Sequence, residues 1–261
     1  MGIHDNVSPN MEFQEPAIAL VFNISAPNKL NAEPLLTLSD LETLYHEWGH
    51  ALHSLFSRTI FQHLSGTRGA VDFVEVPSHL FEYFARSPSI IQQWARNHRT
   101  GQRPPLLLLE EALLARNPFG AIETQTQLLL SAADQHIFGP GIGDVSALSP
   151  TDIYQKAVTG VVQIQQKLTH LPFDNHNPAI NLALHSHFVN YGAGYYSYLF
   201  AKMYAAQIWE KRFKEDPLSR ANGIYLWNNM LQFGAAKNTN EMLTAAADGE
   251  LDPAHFLRTL L

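Results

Sequence analysis

Residues 39–56 read SDLETLYHEWGHALHSLF, and this stretch decides the fold. Its apolar residues recur every three or four positions, which is the period of a helix with one buried face; they are Leu41, Leu44, Tyr45, Trp48, Leu52, Leu55 and Phe56. Ser39 and Glu42 have the spacing of a capping box, so we expect Ser39 to be the N-cap of this helix.

Helical patterns also dominate the rest of the chain. A second helix is predicted from about Asp72 to Arg86, bent or delayed by Pro77. Further helices are predicted at Leu106–Arg116, Ile122–Phe138, Thr151–Leu168 and Tyr195–Lys214. The one good strand candidate is Ala17–Ile24, for which the sequence offers no convincing pairing partner. We therefore predict a mainly α fold with a short N-terminal β element, organised as a single domain over residues 1–261.

Composition excludes several classes of function. The 17 Lys and Arg residues are outnumbered by 24 Asp and Glu, giving a net charge of -7, and no cationic cluster stands out that would suit a nucleic-acid backbone. Cysteine is absent, which excludes disulfides, thiolate nucleophiles and cysteine-based zinc sites. No apolar run is long enough for a membrane span. The 13 histidines, by contrast, are a rich supply of metal ligands and proton carriers.

The first helix contains the pattern His-Glu-x-x-His at residues 46–50. Residues four apart share a helix face, so His46 and His50 can direct both imidazoles at one cation. Glu47 lies one step round the helix, close enough to act as a general base on a water molecule. The alternative is a pair of ordinary surface histidines. His53 follows on the same face, where a third histidine more often packs or caps than binds metal.

A zinc ion held by two histidines needs a third protein ligand, most often a carboxylate in such catalytic sites. The second helix offers three acids, namely Asp72, Glu75 and Glu82. Spacing favours Glu75 as the ligand, with Asp72 or Glu82 orienting a ligand imidazole. The alternative is that all three are solvated acids on an ordinary amphipathic helix. Such a centre polarises a peptide carbonyl, and Glu47 would then carry the proton to the leaving amine.

A tyrosine-rich segment lies far downstream, where four tyrosines surround Gly192 and Gly194. Phenol groups can donate a hydrogen bond to the oxyanion of a tetrahedral intermediate without repelling a metal ion. The alternative is an aromatic packing seam, which is a common use of buried tyrosine. The candidates are Tyr191, Tyr195, Tyr196 and Tyr198.

Three segments together resemble the thimet oligopeptidase family of zinc metallopeptidases, and within it the mitochondrial intermediate peptidase branch. They are Leu44–Ser54 (LYHEWGHALHS), Gln62–Phe84 (QHLSGTRGAVDFVEVPSHLFEYF) and His187–Leu199 (HFVNYGAGYYSYL). His-Glu-x-x-His alone is shared by many families, whereas the run from Asp72 to Ser78 is specific. The likeness extends over nearly the whole chain.

The resemblance implies a fold and a role for each matching residue. It implies the multi-helical, zincin-type catalytic half of the family, with one zinc ion held by His46, His50 and Glu75 and with Glu47 as catalytic base. It further implies that His187 and Tyr198 stabilise the transition state. By the same resemblance, Tyr191 and Tyr195 belong to a glycine-containing loop that contacts substrate.

The resemblance also implies substrates, a compartment and a departure from the family. The implied activity is hydrolysis of short or unfolded peptides, in particular removal of N-terminal octapeptides from imported mitochondrial precursors, and no nucleic acid or membrane partner is expected. Mitochondrial matrix is the implied location, with cytoplasm as the alternative because Met1–Pro16 lacks the features of a targeting segment. Family members carry a large helical N-terminal half, so we expect this chain to be a C-terminal catalytic part. A general oligopeptidase and an inactive fragment acting only as a binding module are the alternatives.

Overall fold

The computed structural model describes residues 16–24, 35–115, 119–168, 188 and 190–260. These residues are mainly helical, which confirms the predicted fold class. In chain order the helices are α1 (Leu38–Phe56), α2 (Val71–Val74), α3 (Val76–Ala85), α4 (Pro88–Trp94), α5 (Leu106–Leu114), α6 (Gly120–Phe138), α7 (Pro150–Leu168), α8 (Tyr196–Ile208), α9 (Arg220–Asn229), α10 (Thr239–Ala247) and α11 (Ala254–Leu257). In the described part of the chain, none of these helices has both the length and the apolar character that crossing a bilayer requires.

The chain divides into two compact units. The first consists of residues 1–118 and 201–261, and the second of residues 119–200, so that the boundary falls within α8. Helix α1, which contains the His-Glu-x-x-His pattern, belongs to the first unit, as do α2 and α3, which cover the range of Asp72, Glu75 and Glu82. The tyrosine-rich segment belongs to the second unit.

Packing of α1 against α3 organises the first unit. Both helices contribute fully or nearly fully buried apolar side chains, which include Leu41, Ala51, Val76, Leu80 and Ala85. Phe73 of α2 is also fully buried, and its ring meets the His53 ring edge to face at a centroid distance of 5.4 Å. Burial of aliphatic and aromatic side chains is the main favourable contribution to folding, so this contact fixes α1 and α3 relative to each other.

Helix α3 also packs against a π-helical turn, Trp209–Phe213, that continues α8. The amide of Lys214 donates to the carbonyl of Trp209, which is the five-residue step of a π-helix. The Trp209 ring stacks on the Tyr83 ring at a centroid distance of 5.5 Å and meets the Phe84 ring at 5.0 Å. Helix α3 is therefore packed against both α1 and this π-helical turn within the first unit.

In the second unit, α6 and α7 pack together through a glycine. A Cβ atom at Gly160 of α7 would lie 1.9 Å from Nε2 of His136 on α6, so a larger residue at position 160 would require the His136 ring to move. Beside this contact is an apolar cluster of Ala133, Val161, Phe188 and Tyr195, with Leu130 and Ile137 packed against it. Tyr195 is thus tied to the core of the second unit.

Two expectations about local structure were wrong. The N-cap of α1 is Thr37 rather than Ser39, and its capping box is completed by Asp40. Glu42 is engaged elsewhere, because its carboxylate accepts a hydrogen bond from Arg86. The expected β element at Ala17–Ile24 is not formed either: these residues carry no regular secondary structure, and the described residues include no strand with which they could pair.

Candidate metal centre

His46 and His50 lie on one face of α1, as their spacing predicts. Their ring centroids are 5.1 Å apart, and each ring turns its Nε2 atom towards the same carboxylate. The distance to Oε2 of Glu75 is 3.4 Å from His46 and 3.3 Å from His50. Glu75 is therefore the acid that meets both imidazoles, and its role as a metal ligand stays a prediction.

Glu75 occupies the one-residue break between α2 and α3. The break lies two residues before Pro77, which stands in the first turn of α3, where its missing N–H costs nothing. The hydroxyl of Ser78 donates to Oε2 of Glu75 at 2.9 Å and to the Glu75 carbonyl at 2.8 Å. Ser78 therefore fixes the Glu75 side chain relative to the start of α3.

Gly49 allows the two helices to approach closely enough for this contact. A Cβ atom at position 49 would lie 2.6 Å from Cα of Ser78 and 2.7 Å from the carbonyl oxygen of Pro77. Gly49 is not among the candidate residues that the sequence pattern indicated. A glycine in the interior of a helix costs about 1 kcal/mol relative to alanine, so its presence in the middle of α1 indicates a close packing contact.

Glu82 lies behind the histidines and joins two of them. Its Oε1 atom accepts hydrogen bonds from Nδ1 of His46 at 2.7 Å and from Nδ1 of His79 at 2.8 Å. Because Nδ1 of His46 donates to Glu82, it is the Nε2 atom that faces Glu75 and that would offer its lone pair to a metal ion. Of the two acids left open by the sequence, Glu82 orients the His46 imidazole.

These contacts give the centre a strong electrostatic bias. Burial lowers the pKa of His46, but the neighbouring carboxylates of Glu75 and Glu82 outweigh burial and raise it to about 9. Burial raises the pKa of the Glu75 carboxyl, but His46, His50 and Ser78 outweigh that effect and hold this pKa well below its usual range. The carboxylates thus stabilise positive charge at this place, whether that charge is a proton or a metal cation.

The donor set fits a zinc ion. Two imidazole nitrogens and one carboxylate oxygen are a common set of protein ligands for catalytic zinc. Ligand distances of about 2.0–2.1 Å at tetrahedral angles separate neighbouring ligand atoms by roughly 3.3 Å. The observed separations of 3.4 and 3.3 Å from Oε2 of Glu75 to Nε2 of His46 and of His50 agree with that value.

A second convergence of metal-binding side chains involves His46, His79 and Glu82. Both imidazoles already direct Nδ1 to Oε1 of Glu82, so hydrogen bonds account for this group. Nε2 of His79 is buried and has no hydrogen-bond partner among the described residues. We therefore interpret His79 as part of the hydrogen-bonded support of the centre.

The other residues that sequence reasoning selected are found in several environments. Glu47 is partly exposed on α1, one position after His46, and Asp72 is partly exposed on α2. In the second unit Tyr191 is 53% exposed, whereas Tyr195 is only 7% exposed and donates its hydroxyl to Oε1 of Gln127 at 3.1 Å.

Tyr198 and His187 complete the set. The Tyr198 ring is half-buried and packs against the Tyr195 ring at a centroid distance of 5.7 Å. The aromatic packing seam, the alternative considered for these tyrosines, therefore describes Tyr195 and Tyr198 at least in part. His187 lies outside the described residues.

Known proteins resemble this chain along most of its length. A mitochondrial intermediate peptidase of Arabidopsis thaliana is 40% identical over 248 residues, which cover 94% of this chain and 33% of the relative. The Homo sapiens mitochondrial intermediate peptidase is 37% identical over 227 residues, covering 87% of this chain and 30% of the relative. That of Malassezia globosa is 36% identical over 236 residues, covering 89% and 28%.

The chain thus spans about a third of the length of these curated relatives. The sequence model of peptidase family M3 matches residues 2–260, a range that includes both the His/Glu group on α1 and α3 and the tyrosine-rich segment. With that match and these relatives, the chain belongs to peptidase family M3.

Proposed function

We propose that this chain is the metal-binding catalytic part of a zinc metalloendopeptidase that hydrolyses short or unfolded peptides. The observation that carries the proposal is the convergence of Nε2 of His46 and Nε2 of His50 on Oε2 of Glu75, at 3.4 and 3.3 Å. Membership of peptidase family M3 supports the same reaction class.

In the proposed mechanism, His46, His50 and Glu75 hold the zinc ion. Zinc, when bound, supplies a Lewis acid that polarises the carbonyl of the scissile peptide bond. Glu82 accepts a hydrogen bond from Nδ1 of His46, which keeps the imidazole in the tautomer that can bind metal through Nε2.

Glu47 is the proposed general base. It takes a proton from the attacking water and later returns it to the leaving amine, so the carboxylate ends the cycle unchanged. Tyr198 and His187 are proposed to donate hydrogen bonds to the oxyanion of the tetrahedral intermediate. Tyr191 and Tyr195 are proposed to contact the peptide, and the high exposure of Tyr191 suits that role better than the burial of Tyr195 does.

The relatives suggest a narrower substrate class. Those named above are called mitochondrial intermediate peptidases, and we propose the same class of substrate, the N-termini of imported mitochondrial precursors, with the mitochondrial matrix as the location. A general oligopeptidase would instead cleave peptides without regard to precursor sequence, so a profile over precursor-derived and unrelated peptides distinguishes the two. That residues 1–261 form one catalytic domain also stays a prediction.

Glu47→Gln tests the catalytic assignment, because it removes a proton acceptor and leaves the proposed ligands in place. We expect the variant to bind one zinc ion per chain, as the wild type does, while cleavage of a quenched fluorescent peptide falls by about two to four powers of ten. Equal turnover in the variant and the wild type would contradict the role of Glu47.

His50→Ala tests the metal assignment with a readout other than activity. We expect zinc to raise the melting temperature of the wild type, because a ligand that binds only the folded state stabilises it. His50→Ala should lose both the bound zinc and this stabilisation, whereas His63→Ala, which removes an exposed histidine, should keep both. A wild-type chain that binds zinc but cleaves no peptide would favour the alternative of an inactive binding module.

A further inference from the structure

A fully buried carboxylate on α6 holds the backbone of the tyrosine-rich segment. Asp134 is 0% exposed, and its two oxygens accept separate hydrogen bonds. Oδ1 accepts from the amide of Ala193 at 3.0 Å, and Oδ2 accepts from the amide of Tyr195 at 2.9 Å. A buried carboxylate is costly unless it is hydrogen bonded, and bonds to an ionised acceptor are among the stronger ones.

The backbone held in this way has an unusual conformation. Ala193 has a φ of 63°, in the left-handed region that residues other than glycine seldom adopt. Such a conformation persists only where the surrounding structure imposes it. Besides the bond to Asp134, Nε2 of Gln135 donates to the Ala193 carbonyl at 2.6 Å, so both polar groups of this residue are bound by α6.

The same helix also fixes a tyrosine side chain of the segment. Gln127 lies two helical turns before Asp134 and accepts a hydrogen bond from the hydroxyl of Tyr195. The Tyr195 ring in turn contacts the Tyr198 ring. Helix α6 therefore fixes the backbone at Ala193 and both the amide and the hydroxyl of Tyr195. The Tyr195 ring fixed in this way is the one that packs against Tyr198.

We propose that Asp134 is a positioning residue for catalysis and that Gln135 supports it through its hydrogen bond to the Ala193 carbonyl. Asp134 fixes the segment from Gly192 to Tyr195, and the Tyr195 ring packs against Tyr198, the residue to which the proposed function assigns the hydrogen bond to the oxyanion. The inference rests on the proposed function, since it assigns the support of a group that the mechanism uses. The geometry gives Asp134 contacts to backbone amides, and no proton transfer is assigned to it.

Hydrogen exchange combined with kinetics tests the proposal on Asp134→Asn and Gln135→Ala. Asparagine keeps the size of aspartate, but its amide group cannot accept the second N–H. We expect the amides of Ala193 and Tyr195 to exchange at least about 10-fold faster in Asp134→Asn than in the wild type. The kcat value should fall by about 10- to 100-fold, with KM little changed and the zinc content unaltered.

Gln135→Ala provides a second variant that does not disturb the interior, because Gln135 is exposed. It should show the same changes in exchange and kcat to a smaller extent. Gln166→Ala makes the same chemical change at an exposed position of α7 and should behave like the wild type. If Asp134→Asn does not fold, Gln135→Ala decides the question.

Wild-type exchange and kcat in both α6 variants would overturn the proposal. Faster exchange with an unchanged kcat would also overturn it, because the segment would then be held without consequence for catalysis. A wild-type chain that cleaves no peptide would contradict the proposed function, and the exchange rates would still decide whether Asp134 holds the segment.

Discussion

Gly49 lies against the backbone of Ser78 so closely that a Cβ atom at position 49 would stand 2.6 Å from Cα of Ser78. Gly49 lies between the two histidines of the motif, and Ser78 donates to the carboxylate of Glu75. The contact therefore sets the distance between the helix that carries the imidazoles and the residue that carries the carboxylate. It links the packing of the first unit directly to its proposed chemistry.

Gly49→Ala should destabilise the fold by about 1–3 kcal/mol, because the added methyl group overpacks a rigid backbone contact. The displacement of α3 should also move Glu75 away from His50 and weaken zinc binding. Chemical denaturation measures the first effect, and competition with a zinc chelator measures the second.

Gly223→Ala is the matched control for this substitution. Gly223 lies within α9, and apart from its chain neighbours and the backbone of its own helix, no atom of the described residues lies within 4 Å of the position of its Cβ atom. The control should therefore be stabilised by roughly 0.5–1 kcal/mol, the usual preference for alanine in a helix. The close-contact interpretation fails if both variants change stability in the same direction.

Glu82→Gln should weaken zinc binding by about 10-fold or more, although Glu82 is not one of the proposed ligands. The substitution removes the negative charge that accepts hydrogen bonds from Nδ1 of His46 and of His79. A neutral acceptor polarises and orients the His46 imidazole less strongly. The measurement is zinc affinity by chelator competition at fixed pH.

Glu42→Gln is the control, since both Glu42 and Glu82 are partners of Arg86. The substitution removes a carboxylate that pairs with the same arginine, but the hydrogen bonds that Glu82 accepts from the two imidazoles stay. We expect little change in zinc affinity. Equal losses of affinity in the two variants would trace the effect to Arg86 and would contradict the role of Glu82.

His53 should make the fold sensitive to acid. This side chain is fully buried, and neither ring nitrogen has a hydrogen-bond partner in the part of the chain that the structure describes. Burial, helped by the charge of His50, lowers the pKa of His53 from 6.5 to about 4. Above pH 6.5 the imidazole is neutral in both the folded and the unfolded chain, so its full contribution to stability is present there.

As pH falls from 6.5 towards 4, the unfolded chain takes up a proton at His53 that the folded chain excludes. Stability should therefore fall over this window, by about 3 kcal/mol from this group in total. The measurement is the free energy of unfolding from denaturant titrations at several pH values. His53→Leu should be less acid-sensitive than the wild type, whereas His63→Leu, at an exposed position, should match the wild type. Identical pH profiles for His53→Leu and the wild type would contradict the prediction.

Much of the helical fold could be predicted from the sequence, since helices follow from local periodicity. Helix α1 was found because its apolar residues recur every three or four positions, and the acidic helix was found with its interruption near Pro77. The N-cap was missed because two capping patterns overlap at residues 37–42. In the structure Thr37 is the N-cap, and Glu42, the expected capping partner of Ser39, instead contacts Arg86, 44 residues away.

For the candidate site, the sequence by itself determined that His46 and His50 share a helix face, because a spacing of four is a local property of the helix. Spacing also favoured Glu75 among the three acids of the second predicted helix. Only the tertiary structure decided that Glu82 orients His46, that Gly49 admits α3, and that Asp134 holds the backbone of Ala193 and Tyr195. These contacts join residues that are 29 to 61 positions apart in the chain. Such pairings are set by the close packing of side chains from different parts of the fold, and local periodicity does not contain them.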